Sequence, residues 1–126
     1  MKPKYRVWLP DPDVEKLLKV KALVFEDDKT RCVCGYAYDF YLEDEDATIM
    51  QSTGLFDKNG KEIFEGDIVK MAKDVYSDTA YYKIVRYRGG AYRLESNQHG
   101  CELWLRHTNC EVIGNIYENP ELLEVE

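Results

Sequence analysis

Gln51-Ser-Thr-Gly-Leu-Phe-Asp-Lys-Asn-Gly-Lys-Glu-Ile-Phe-Glu-Gly-Asp-Ile-Val-Lys70 holds a hairpin signal and a strand-start signal in one stretch. Asn59-Gly60 is the hairpin signal, because a two-residue type I′ turn needs φ > 0 at both central residues. Such a turn predicts that Lys58 faces Lys61, Asp57 faces Glu62, Phe56 faces Ile63 and Leu55 faces Phe64. Glu65-Gly66-Asp67 then reads as a corner, and Ile68-Val69 as the start of a β-branched strand. Asp67 after Gly66 is expected to bond the local backbone rather than to serve as a catalytic carboxylate.

Short strands follow. They are Asp67–Ala72, Tyr81–Arg88, Ala91–Glu95, Glu102–Leu105 and Cys110–Tyr117, with a polar loop over Asp74–Thr79 and Gly89-Gly90 as a two-residue turn. Asn119 reads as an N-cap with Pro120 at the first helical position, giving a short terminal helix. Upstream, Tyr5–Leu9 reads as a strand ended by Pro10-Asp-Pro-Asp13, and Leu18–Glu26 as another. Arg31–Leu42 alternates, which places Cys32, Cys34, Tyr36, Tyr38, Phe40 and Leu42 on one face, with Gly35 as a bulge or weak point. Glu43–Asp46 reads as a loop. The expected fold is mainly β, with an SH3-like small barrel over about residues 53–117, additional N-terminal β-strands and a short C-terminal helix. The expected organisation is one domain over 1–126, with a β-rich part over 1–52 and the barrel part over 53–126.

Together with Glu111-Val-Ile-Gly-Asn-Ile-Tyr-Glu-Asn-Pro-Glu-Leu-Leu123, the Gln51–Lys70 stretch resembles the YopX family of bacteriophage and prophage proteins. The resemblance implies an SH3-like roll and a phage setting. It implies no reaction, because that family is one of unknown function. Cys32–Asp46 matches no feature of the family, so a partner bound there would be particular to this chain.

Composition narrows the classes. At 126 residues, the chain can bury a core without staples. No apolar run approaches the ~20 residues of a membrane-spanning helix. The N-terminus lacks the apolar segment of a signal peptide. The cytoplasm of a bacterial host cell is therefore expected, and a reducing compartment argues against disulfides among the cysteines. The net charge of −7 opposes polyanion binding. The acids cluster at Asp39, Glu43, Asp44, Glu45 and Asp46, which reads as a solvated face.

Cys32, Cys34, Cys101 and Cys110 with His99 and His107 offer zinc ligand types, but the spacing departs from Cys-x₂₋₄-Cys knuckles. Cys32 and Cys34 read better as small buried hydrophobes. Asp57-Lys-Asn59-Gly60 begins like a calcium loop, but Glu62 stands where glycine is required and Ile68 where glutamate is. No metal and no cofactor is expected. No hydrolase, Walker or metalloprotease motif occurs, so no enzyme is expected. A thiol enzyme using Cys101 with His99 or His107 is the conceivable exception. The Gly89-Gly90 turn would set Arg86 opposite Arg93 and Tyr87 opposite Tyr92. One face would then carry Tyr82, Ile84, Arg86, Arg88, Arg93 and Glu95, which could hold phosphates and stack a base. The favoured reading is instead that these arginines pair with Glu95 and with the acidic window from Asp39 to Asp46, Asp44 and Asp46 included, within the chain or across an oligomer. The leading expectation is a non-catalytic interaction module that binds a protein or itself. A nucleic-acid-binding module is the alternative.

Overall fold

In a computed structural model of the chain, the described residues are 4–10, 16–35, 38–72, 79–87, 90–96 and 100–123. They form β1 (Tyr5–Leu9), β2 (Lys16–Lys19), β3 (Ala22–Phe25), β4 (Thr30–Gly35), β5 (Tyr38–Tyr41), α1 (Leu42–Glu45), β6 (Thr48–Phe56), β7 (Glu62–Phe64), β8 (Asp67–Ala72), β9 (Thr79–Arg86), β10 (Tyr92–Glu95), β11 (Gly100–Glu102), α2 (Leu103–Arg106) and β12 (Glu111–Asn115). A 3₁₀ turn follows at Pro120–Leu123. The chain divides into two units, Met1–Gln51 and Ser52–Glu126.

In the first unit, β1 lies between β2 and the first half of β6, with Val7 opposite both Leu18 and Ile49. Val7, Leu9 and Met50 are buried. The expected strand Leu18–Glu26 is two strands. Val20 N–H donates to Tyr5 O, whereas Lys21 N–H donates to Val33 O, so the chain changes sheets between these residues. The long alternating run Arg31–Leu42 is also two strands. Gly35 sits at φ 105, where a side-chain-bearing residue rarely goes, and ends β4. The run folds back, and Cys32 faces Phe40 across β4–β5 instead of sharing a strand with it. Leu42 opens a helical turn that ends at Asp46 in the left-handed region.

In the second unit, β11-β10-β9-β8-β12 form an antiparallel sheet that curls into a half-barrel. This is the mainly β, SH3-like architecture expected for the C-terminal part. Its core joins Ile63, Val69, Met71, Tyr82, Ile84, Leu94, Leu103 and Cys110. Of the expected strand Glu102–Leu105, only Glu102 is strand, at the end of β11, and Leu103–Arg106 is helical. Leu103 is fully buried while Trp104 and Leu105 are 63% and 58% exposed, which breaks the alternation a strand would need.

Asp57, rather than Asn59, sets the central hairpin. Its Oδ1 accepts from Asn59 N at 2.8 Å and Lys61 N at 2.9 Å. Gly60 N–H donates to Asp57 O at 3.0 Å, closing a turn with aspartate first and glycine fourth. That is type I chemistry, and Gly60 at φ 81 adds the left-handed residue of a three-residue loop. The register is therefore one residue off the two-residue expectation, and Phe56 faces Glu62. A slip of one residue turns each side chain to the other face. Gly60→Val is expected to cost about 1–2 kcal/mol by denaturant unfolding, from forced positive φ at a β-branched residue. Crowding adds nothing, since a Cβ there meets no atom within 4 Å. An unchanged midpoint would show that the loop does not require Gly60's conformation.

The corner and the tail lock together through backbone bonds. Asp67 Oδ2 accepts from Phe64 N at 2.8 Å, the local role expected of it. Gly66 N–H donates to Ile84 O, and Gly66 O accepts from Ile116 N–H, both at 2.9 Å. Buried Asn115 accepts from Tyr117 N and Glu118 N. Asn119 precedes the terminal turn as expected, and its carbonyl accepts from Leu122 N–H. Its side chain instead reaches back to accept from Asn115 N.

Candidate functional site

The arginine face expected from the sequence does not form as a single face. The hairpin of β9 and β10 pairs Tyr92 with Arg86, Arg93 with Val85 and Leu94 with Ile84. Tyr87 N–H donates to Ala91 O, and Gly90 sits at φ 85, so this loop too holds three residues rather than two. Arg86 therefore lies on the side of buried Ile84 and Leu94, at the strand's exposed end, and Arg93 lies on the opposite side. Tyr82, expected outside, is 1% exposed and belongs to the core. Arg88 and His99 lie outside the described residues.

Arg93 has its own partners. Its guanidinium stands 5.1 Å from the Tyr87 ring centre and 3.8 Å from Glu102 Oε1. The acidic window also has partners in its own unit. Asp44 meets Lys29 at 2.9 Å, Asp39 meets Arg31 at 3.2 Å, and Glu43 accepts from Thr30 N. The hydrogen bond that Lys29 donates to Asp44 holds its ammonium above the ordinary pKa. Asp46 serves as the left-handed cap of α1.

Neither Cys101 nor Cys110 is set up as a catalytic nucleophile. Burial raises Cys101, and pushes Cys32 and Cys110 up to about 12. His107 Nδ1 lies 2.7 Å from Phe56 O, so that nitrogen is committed to a carbonyl. Among the described residues, no group of three or more His, Cys, Asp or Glu side chains is placed to hold a metal ion. No helix among them is long and apolar enough to cross a membrane.

The feature that sequence reasoning missed is an apolar cleft of about 300 Å³ in the second unit. Thr53 and Leu55 of β6 line it, with Gly90, Ala91 and Tyr92 from the β9–β10 loop and Leu103 and Trp104 from α2. The β6 bulge between Ser52 and Phe56 shapes one wall, where Thr53 Oγ1 donates to Ile63 O at 2.7 Å. Glu102 links the cleft to the arginine. One carboxylate oxygen accepts from Trp104 Nε1 at 3.2 Å, and the other faces Arg93. An indole bonded to a surface carboxylate, a guanidinium over a tyrosine and an apolar floor thus meet at one place. The available sequence signal was Leu103-Trp104-Leu105 itself, three large apolar residues in a row where one helical turn buries a single side chain.

The comparisons with known proteins agree with the architecture. The family described as YopX protein matches residues 4–124. A crystal structure of an Enterococcus faecalis protein is 31% identical, with a TM-score of 0.65 over 98% of this chain and 99% of that one. The crystal structure of YopX from Bacillus subtilis shares the fold at 22% identity, with a TM-score of 0.69 over 100% of this chain and 99% of that one. The SPbeta prophage-derived uncharacterized protein YopX of Bacillus subtilis (strain 168) is 30% identical over 71 residues, which span 52% of this chain and 52% of that protein. The match thus reaches about half of that relative's length.

Proposed function

The chain belongs to the YopX family, and from that premise we propose that it is a phage- or prophage-encoded, non-catalytic interaction module that seats a protein partner on the Trp104 cleft. The carrying observation is Trp104, 63% exposed and tethered to Glu102 beside an apolar cleft. Exposed aromatics at such clefts are the usual anchors of protein interfaces. A volume of about 300 Å³ suits one or two apolar side chains of a partner better than a large cofactor. The raised thiols and the committed His107 nitrogen weigh against the thiol-enzyme reading. The separation of Arg86 from Arg93 weighs against one continuous phosphate-binding face.

The test is affinity capture of tagged protein from induced cells, run beside Trp104→Ala. Truncating an anchor of this kind is expected to cost about 2 kcal/mol or more, a loss of roughly thirtyfold in affinity. The melting temperature should stay within about two degrees, since exposed positions away from special features change stability little. Equal capture by both forms removes the cleft from the interface. Binding of labelled oligonucleotides that weakens steeply with salt would favour the nucleic-acid reading instead.

A further inference from the structure

Cys32 and Cys34 stand two positions apart on β4 with their sulfurs 3.6 Å from each other. Both are free thiols. Side chains at i and i+2 share a face, with Cα atoms roughly 6.5 Å apart on a regular strand, and the two sulfurs lean toward each other across that spacing. A bulge adds a local bend. The β4–β5 ladder passes from Val33 opposite Asp39 to Gly35 opposite Tyr38, leaving Cys34 as the extra residue. A bulged strand bends locally, and the unpaired residue is free of the ladder. Gly35 follows at φ 105. Leu23 and Phe40 flank Cys32 on the neighbouring strands and keep it buried, while Cys34 is partly exposed.

We propose that Cys32 and Cys34 form a redox-active dithiol site that a low-molecular-weight disulfide of the glutathione type closes into an internal disulfide. Cys34, the accessible member, reacts first. Its thiolate attacks one sulfur of the small disulfide and forms a mixed disulfide, and the departing thiolate takes up the proton that Cys34 lost. Cys32 then gives up its proton and attacks the Cys34 sulfur. The second small thiolate leaves and takes that proton. One small disulfide is reduced to two thiols, and two protein thiols are oxidised to one disulfide. The second step requires the sulfurs to close from 3.6 Å to about 2.05 Å. It is intramolecular between groups already in contact, so it outruns a second encounter with a small molecule. Burial, with Asp39 adding to it, keeps both thiols largely protonated at neutral pH, so the exchange runs through a small thiolate fraction and quickens as pH rises.

The test treats the intact native chain with oxidised glutathione, then blocks the remaining thiols and maps the peptides by mass. The expected product has lost two hydrogen masses, with Cys32 and Cys34 joined within one peptide, Cys110 unmodified and the circular dichroism native. Cys32→Ser should stop at the mixed disulfide on Cys34, which becomes the major product. Cys34→Ser should leave Cys32 unmodified. A wild-type chain that accumulates the mixed disulfide without closing it overturns the proposal. So does a chain oxidised only after unfolding, or only through bonds between chains.

Discussion

Asp57→Ala is expected to remove about 3–5 kcal/mol of stability, lowering the melting temperature by roughly 10–20 °C. This carboxylate is 5% exposed and serves three backbone donors. Oδ1 closes the hairpin loop on Asn59 and Lys61, and Oδ2 accepts from Val112 N at 2.9 Å on β12. Hydrogen bonds to a charged group contribute about 1.5–3 kcal/mol each, and a donor left unpaired in a buried place costs a comparable amount. Asp57→Asn separates the two functions. Its oxygen can keep the loop bonds, but its amide would set a donor against Val112 N–H. A loss of about 2 kcal/mol, smaller than that of the alanine variant, is expected from denaturant unfolding. If asparagine is neutral, the bond to β12 contributes nothing.

The same residue gives the stability a pH dependence. Burial pushes the Asp57 carboxyl up, but the N–H groups of Val112, Lys61 and Asn59, with the Lys61 charge, outweigh it and hold the carboxyl below the ordinary aspartate range. The unfolded chain therefore binds its proton first on acidification. The contribution is complete above the unfolded value of about 3.9 and is lost as pH falls through the lower folded value. Stability measured from pH 6 downward should fall more steeply for the wild type than for Asp57→Asn, which has no carboxyl there to protonate. Parallel curves would show that other acids govern acid unfolding.

Gly114→Ala is the second large effect expected, about 2–4 kcal/mol. Alanine normally suits a strand better than glycine. Here a Cβ would overlap Asn119 Oδ1 and come within 2.8 Å of its Cγ. The Asn119 side chain would be displaced, and the bond its Oδ1 accepts from Asn115 N–H would go with it. A double-mutant cycle identifies the cause. In an Asn119→Gly background, the same Gly114→Ala change should cost less than about 1 kcal/mol, because the obstructing side chain is gone. Equal costs in both backgrounds would place the damage elsewhere, for instance in the β12 bulge between Val112 and Gly114.

The sequence by itself determined the features whose causes are local. Gly66-Asp67 marks a corner because a left-handed glycine and a short carboxylate that bonds Phe64 N–H make one. Tyr5–Leu9 and Asp67–Ala72 are strands as read, and Asn119-Pro120 starts the terminal turn. The residues that carried the family resemblance belong largely to this class, which is why a mainly β, SH3-like fold was legible while a reaction was not. Tertiary structure alone decided the registers and the surface. The Asp57 hairpin and the β9–β10 hairpin both run through three-residue loops, and at the first the signal was present as Asp57 with Gly60 three positions on. A single residue of loop length moves every partner by one, so the expected arginine face is divided and Tyr82 is in the core. The fate of Leu103-Trp104-Leu105 depended on which of three similar apolar side chains the sheet could receive. The core takes Leu103 and leaves Trp104 beside the cleft, because packing across the sheet decides that choice and local propensity does not.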